Sequence, residues 1–160
     1  SLFIPLGERA DLNLGVSYAN GPALAALRPD GARAQLGGVD VLFRWKNPRR
    51  SIYRSLVVQA EQLRERGSAS GAAWRGGSFA SVAYQFARRW KLGGRYDWTE
   101  RPDAPAHESG GLAFVQVQPS EFSTLSLQGR RVHDAADDTT RDALFLKWTF
   151  NIGPHGAHPY

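Results

Sequence analysis

The 160 residues contain no cysteine and no methionine. Without thiols there is no disulfide framework, no thiolate metal site and no cysteine nucleophile. With no methionine even at position 1, the sequence reads as a processed or excised chain, from which any export signal has gone. Long apolar runs are missing as well: nothing approaches the ~20 apolar residues of a membrane-spanning helix. That excludes a helical membrane protein but not a β-barrel, whose signal per strand is much weaker. Nor is there a strong charge bias, since 20 Lys and Arg against 15 Asp and Glu leave +5. A nucleic-acid surface concentrates its basic residues in a stripe. Here they are scattered, and the short pairs in "NPRR" and "FARRW" read as interface anchors or solvated turns. No nucleic-acid partner is expected.

What is present is alternation. In "DALFLKWTFNIG", Asp142 to Gly153, Leu144, Leu146, Trp148, Phe150 and Ile152 fall on one face of a strand, and Phe145, Lys147, Thr149 and Asn151 on the other. Seven further segments alternate in the same way: Asp11–Ala19, Val39–Lys46, Ser55–Gln62, Ala80–Trp90, Lys91–Thr99, Leu112–Gln118 and Ser123–Arg130. The helix formers of "VVQAEQLRER" offer a competing helix, but the β-branched and aromatic lead-in "SIYRSLVV" favours a strand. With 17 glycines and 11% aromatics, the sequence predicts an all-β fold with eight strands in this chain.

The connections alternate between long and short. Gly-, Pro- and Ala-rich stretches such as Asn20–Gln35, "RERGSASGAAWRGG", "ERPDAPAHESGG" and "HDAADDTTRD" are long, whereas "NPRR", "RRWKLGG" and "PSEF" are tight. An antiparallel up-and-down meander with one ragged and one trim end is expected, the asymmetry of outer-membrane barrels. Trp and Tyr stand near strand ends on the apolar faces (Tyr18, Trp45, Trp90, Trp98 and Trp148), where aromatic girdles would meet the lipid interface. The opposite faces carry Asp11, Asp40, Arg44, Lys46, Glu61, Arg89, Arg95, Asp97, Arg130 and Lys147, a mixed set suited to a barrel lumen. The expectation is a transmembrane β-barrel in the bacterial outer membrane, with lipid as its partner and both termini on the periplasmic side. A soluble lipocalin-like barrel, with the same faces reversed, is the competing architecture.

The segments "VDVLFRWKNPRRSIYRSLVVQAE" and "ALFLKWTFNIGPHGAHPY" resemble the C-terminal part of bacterial outer-membrane β-barrel proteins, porin-like and TonB-dependent receptors, some described as zinc-regulated. The resemblance implies passage of small solutes or metal ions. Two features depart from it: Gly153, Pro154, Gly156 and Pro159 interrupt the final strand before the terminal aromatic Tyr160, and there is no plug or TonB-contact segment. The opening "SLFIPLGERAD" reads as the end of an earlier strand and a tight turn. Residues 1–160 are therefore either one small barrel domain or the last eight strands of a larger barrel, completed by a preceding part or by other chains.

Site chemistry is sparse. His155 and His158 near the C-terminus offer two imidazoles suited to zinc, half of a site. His133 with Asp134, Asp137 and Asp138 offers a second cation candidate, and His107 lies in an expected outer loop. No serine and histidine share a strand face at a spacing that makes a nucleophile and its base, so no enzyme is expected and no cofactor beyond a candidate zinc. If the barrel is wide, the cationic excess of the lumen would favour anions; if narrow, its charges would pair and fill it. A non-conducting membrane scaffold or anchor is thus the alternative to a conducting barrel.

Overall fold

The computed structural model describes residues 1–22, 33–48, 53–67, 74–101 and 105–150. They form one antiparallel sheet with no helix: β1 (Leu2–Leu6), β2 (Ala10–Pro22), β3 (Arg33–Lys46), β4 (Ser55–Gly67), β5 (Arg75–Ala87), β6 (Trp90–Glu100), β7 (His107–Ser120), β8 (Ser123–Asp134) and β9 (Thr139–Phe150). Every strand pairs with its neighbour in sequence, giving the order β1 to β9 without a crossover. The all-β, up-and-down expectation holds. The strand count is corrected from eight to nine, because the opening segment pairs with β2 from Leu2 opposite Leu14 to Leu6 opposite Ala10. The sheet is not closed: β1 and β9 are its two edges.

Sequence chemistry explains the turns. Gly7 takes φ +74° in the turn between β1 and β2, a left-handed conformation that glycine adopts without a Cβ penalty. Arg88 and Arg89 turn β5 into β6, and Glu121 and Phe122 turn β7 into β8. A register shift between Val117 and Ser120 sets Pro119, which has no N–H to give, at an irregularity of the ladder. The four connections expected to be long are all shorter, at 23–32, 68–74, 101–106 and 135–138, because the strands extend into them. The β3–β4 link runs from Asn47 to Arg54, longer than "NPRR" alone, while β8 and β9 are joined by only Ala135–Asp138. The β8–β9 shortening arises because "RVHD" and "TTRD" continue the ladder, from Val132 opposite Arg141 to Asp134 opposite Thr139.

The register carries the alternation coherently across the sheet. Leu12, Phe43, Val58, Val82, Gly94, Ala113, Gly129 and Leu144 stand level on one face. On β2 the apolar positions extend six residues from that level, to Tyr18, toward the β2–β3 connection; on β9 they extend six residues the other way, to Phe150. The apolar band therefore crosses the sheet obliquely. Its side chains are uncovered: Val16 is 81% exposed, Leu144 75% and Leu146 73%. Among the described residues Val132 is the one buried apolar side chain. The usual ledger, in which apolar burial at about 25 cal/mol per Å² offsets chain entropy, thus has almost no internal core to draw on.

Candidate functional site: the charged face of the sheet

The opposite face is polar, more crowded and charged. Asp11 and Arg44 are directly paired across β2 and β3, and the Arg44 Nε donates to the Asp11 carboxylate at 2.8 Å. Asp40, next on β3, lies against Gly15 so closely that a Cβ there would meet its carboxylate. Asp40 in turn stands opposite Glu61 on β4, and Glu61 opposite Phe79 on β5. Arg95 on β6 lies over the Phe79 ring at 4.0 Å and pairs with Asp97, two residues along the same face, at 2.6 Å. These contacts follow from period two: residues i and i+2 share a face, and register partners sit side by side.

Farther along the same face both signs of charge continue. Arg130 on β8 stands between Leu112 and Ala143, and Lys147 on β9 faces Ser126. Arg141 reaches across β8 to Glu108 at 3.2 Å, and Arg101 donates to the buried carboxylate of Asp134 at 2.5 Å. A hollow of about 360 Å³ lies over β6–β8, lined by Arg95, Asp97, Thr99, Glu108, Arg130 and Val132 among others. Carboxylates and cations are interspersed over this face: Asp40, Glu61 and Asp97 share β3–β6 with Arg44, Lys46 and Arg95, and Glu108 and Asp134 share β7–β9 with Arg130, Arg141 and Lys147. Such a surface can hold water, order small ions and discriminate them by charge.

Nine of the ten expected lumen residues share this face by register: Asp11, Asp40, Arg44, Lys46, Glu61, Arg95, Asp97, Arg130 and Lys147. Arg89 does not, because β5 ends at Ala87 and places Arg89 in a turn, where its carbonyl accepts the N–H of Gln118 at 2.8 Å. Glu108, Asp134 and Arg141 were legible only as loop residues. Their signal was the continued alternation of "RVHD" and "TTRDAL" through what looked like a long polar connection.

All five expected interface aromatics lie on the apolar face. Trp90 and Trp148 stand level, joined by the register pairs Trp90–Val117, Val117–Leu125 and Leu125–Trp148, and Trp45 lies one same-face row away, level with Tyr84. Tyr18 and Trp98 stand toward the opposite strand ends. Trp98 also packs against His107 with ring centroids 5.9 Å apart.

The cation candidates are not brought together. Asp134 is engaged by Arg101 and by the N–H of Ala136; Asp137 accepts from the Thr139 hydroxyl at 2.6 Å and its N–H at 3.1 Å. The Thr139 hydroxyl holds the Asp137 carboxyl below the usual carboxylate range. His133 contacts Thr140 at 3.3 Å and Asp138 at 3.9 Å, and no cluster of three His, Asp or Glu set to hold a metal occurs among the described residues. His155 and His158 lie outside the described residues.

No protein-family model matches the chain, and no solved structure matches it. It is similar to an uncharacterized protein of Aquifex aeolicus (strain VF5), 28% identical over 98 residues, which is 54% of this chain and 21% of that protein. The chain therefore spans about a fifth of the length of the curated relative it matches.

Proposed function

We propose that this sheet is the wall of a β-barrel in a bacterial outer membrane, with the apolar face toward lipid and the charged face toward a lumen that passes small solutes or ions. The observation that carries the reading is the oblique apolar band. A slip of six residues over seven strand steps is roughly 20 Å along the strands for about 34 Å across them. A flat lipid slab would cut such a sheet along this band if the strands tilted by about 30°, close to the 35–45° of transmembrane barrels. Shear staggers the strands of any closed barrel, so the slant fits a barrel wall of either kind. The exposure of the apolar band, opposite a more crowded charged face, is what favours lipid over a soluble barrel with these faces reversed. The near-absence of an internal core supports the same reading, as do the aromatics at both margins of the band.

A lumen that carries both acidic and basic side chains favours passage of small charged or polar solutes. If the enclosed space is narrow, the pairs Asp11–Arg44, Arg95–Asp97 and Glu108–Arg141 would instead fill it, and the barrel would be a non-conducting scaffold. Ion current across a bilayer separates the two.

The orientation is tested by folding into lipid vesicles. Leu146→Arg is expected to cost ~2–4 kcal/mol if that position meets lipid near the midplane. Lys147→Leu, one residue away on the charged face, is expected to cost far less. The reverse ranking would overturn the orientation.

A further inference from the structure

The hollow over β6–β8 has one guanidinium to spare. Each acid around it already has its cation: Asp97 has Arg95 at 2.6 Å, Glu108 has Arg141 at 3.2 Å and Asp134 has Arg101 at 2.5 Å. Arg130 lines the same hollow, is exposed, and has no ion pair or hydrogen bond among the described residues. The register explains why. Its level across the face reads Arg95, Leu112, Arg130, Ala143, so both flanking side chains are apolar. Its same-face neighbours along β8 are Gln128 and Val132, two residues to either side. On the next level Asp97 lies two strands away, with Gly110 between it and Val132. Gly110 projects no side chain into the space, and a Cβ there would press on the Val132 side chain at 3.1 Å.

We propose that Arg130 anchors a binding site for a small organic monocarboxylate, a solute class for the lumen reading given above, on which the site's part in passage rests. The planar fork of a guanidinium matches a carboxylate with two parallel hydrogen bonds. A volume of about 360 Å³ suits a small ligand. Leu112 and the buried Val132 give a short alkyl body an apolar rest beside the fork. Charge fixes the class. With the three acids neutralised, the hollow keeps one uncompensated positive charge, which a monoanion cancels. A phosphate dianion would leave excess negative charge beside Asp97 and Glu108, and an ammonium would find no uncommitted carboxylate there.

The test follows the arginine Nε–H and Val132 methyl resonances of the chain in detergent micelles at low salt. Sodium butyrate is the probe, with sodium phosphate and butylammonium chloride for comparison. Butyrate is expected to shift the Arg130 resonance saturably, while those of Arg95 and Arg141, held by Asp97 and Glu108, stay in place. Phosphate is expected to bind more weakly and butylammonium not at all. Read at the Val132 methyls, Arg130→Gln is expected to weaken butyrate binding by about tenfold or more, the loss of a charge-assisted pair. Lys91→Gln removes one charge from the same face outside the hollow and is expected to leave binding unchanged. No saturable shift of Arg130 in the parent would overturn the proposal, and that result needs no variant to fold. Equal weakening by Lys91→Gln, or tighter binding of phosphate than of butyrate, would overturn it as well. A chain that is a monomer in buffer and takes up no detergent fails the membrane reading instead; the same titration run in buffer then tests the site separately.

Discussion

At the scale of single residues, the two faces obey different chemistry. On the charged face small residues make room for large ones: a Cβ on Gly93 would lie 2.6 Å from the Phe114 ring, so the glycine is the seat of that aromatic. On the apolar face large side chains stand unopposed, as Leu144 and Leu146 do. The short β8–β9 turn has local chemistry of its own. Asp138 sits there at φ 55°, a conformation Asp tolerates better than most residues, and Thr139 donates twice to Asp137. A carboxylate favoured by hydrogen bonds titrates below its ordinary value. Its contribution to the turn is present above the unfolded aspartate pKa and is lost as pH falls through the lower folded value. An NMR titration of Asp137 should accordingly give a midpoint below 3.8, and Thr139→Val should move it upward. An unchanged midpoint in the variant would mean that the hydroxyl is not the cause.

At the scale of elements, what could be read from the sequence was set by period two. Eight of the nine strands announced themselves by alternation, and β4 overrode a helical propensity because its neighbours β3 and β5 offer it a ladder on both sides. β1 was legible only as the remnant of a strand, being five residues with a proline. The ends of β2 to β5 next to the long connections were read short. So were those of β7, β8 and β9, where Gly110, Gly111 and a run of charges imitate a loop; a ladder makes such residues strand by pairing them with neighbours. That error also hid Glu108, Asp134 and Arg141 from the charged face. Arg89 was misplaced for the opposite reason, since a strand was carried through a two-residue turn. The aromatics followed their faces correctly. Single-tryptophan chains in vesicles should place Trp90 and Trp98, at the two ends of β6, at similar distances from the midplane, in opposite leaflets, by quenching with lipids brominated at different depths. Deep quenching of both would contradict interfacial girdles.

At the scale of the whole molecule, an apolar surface without a core and a charged surface without a partner are two statements of one fact. The sheet is amphipathic on a scale far larger than the isolated apolar residues common on soluble proteins, and such surfaces call for a covering. Closure could not be read from alternation alone, because each strand reports its two faces and none reports the number of strands in the ring. The ninth strand, β1, extends the sheet and leaves β1 and β9 as its edges. The most direct test of the account uses the chain's lack of cysteine. Nitroxide labels placed singly at positions 143 through 148 of the lipid-reconstituted protein are read by electron paramagnetic resonance for collision with oxygen and with a water-soluble nickel complex. The account predicts strict alternation along β9, with oxygen favoured at 144, 146 and 148 and nickel at 143, 145 and 147. The opposite phase, or nickel access at all six positions, would contradict it.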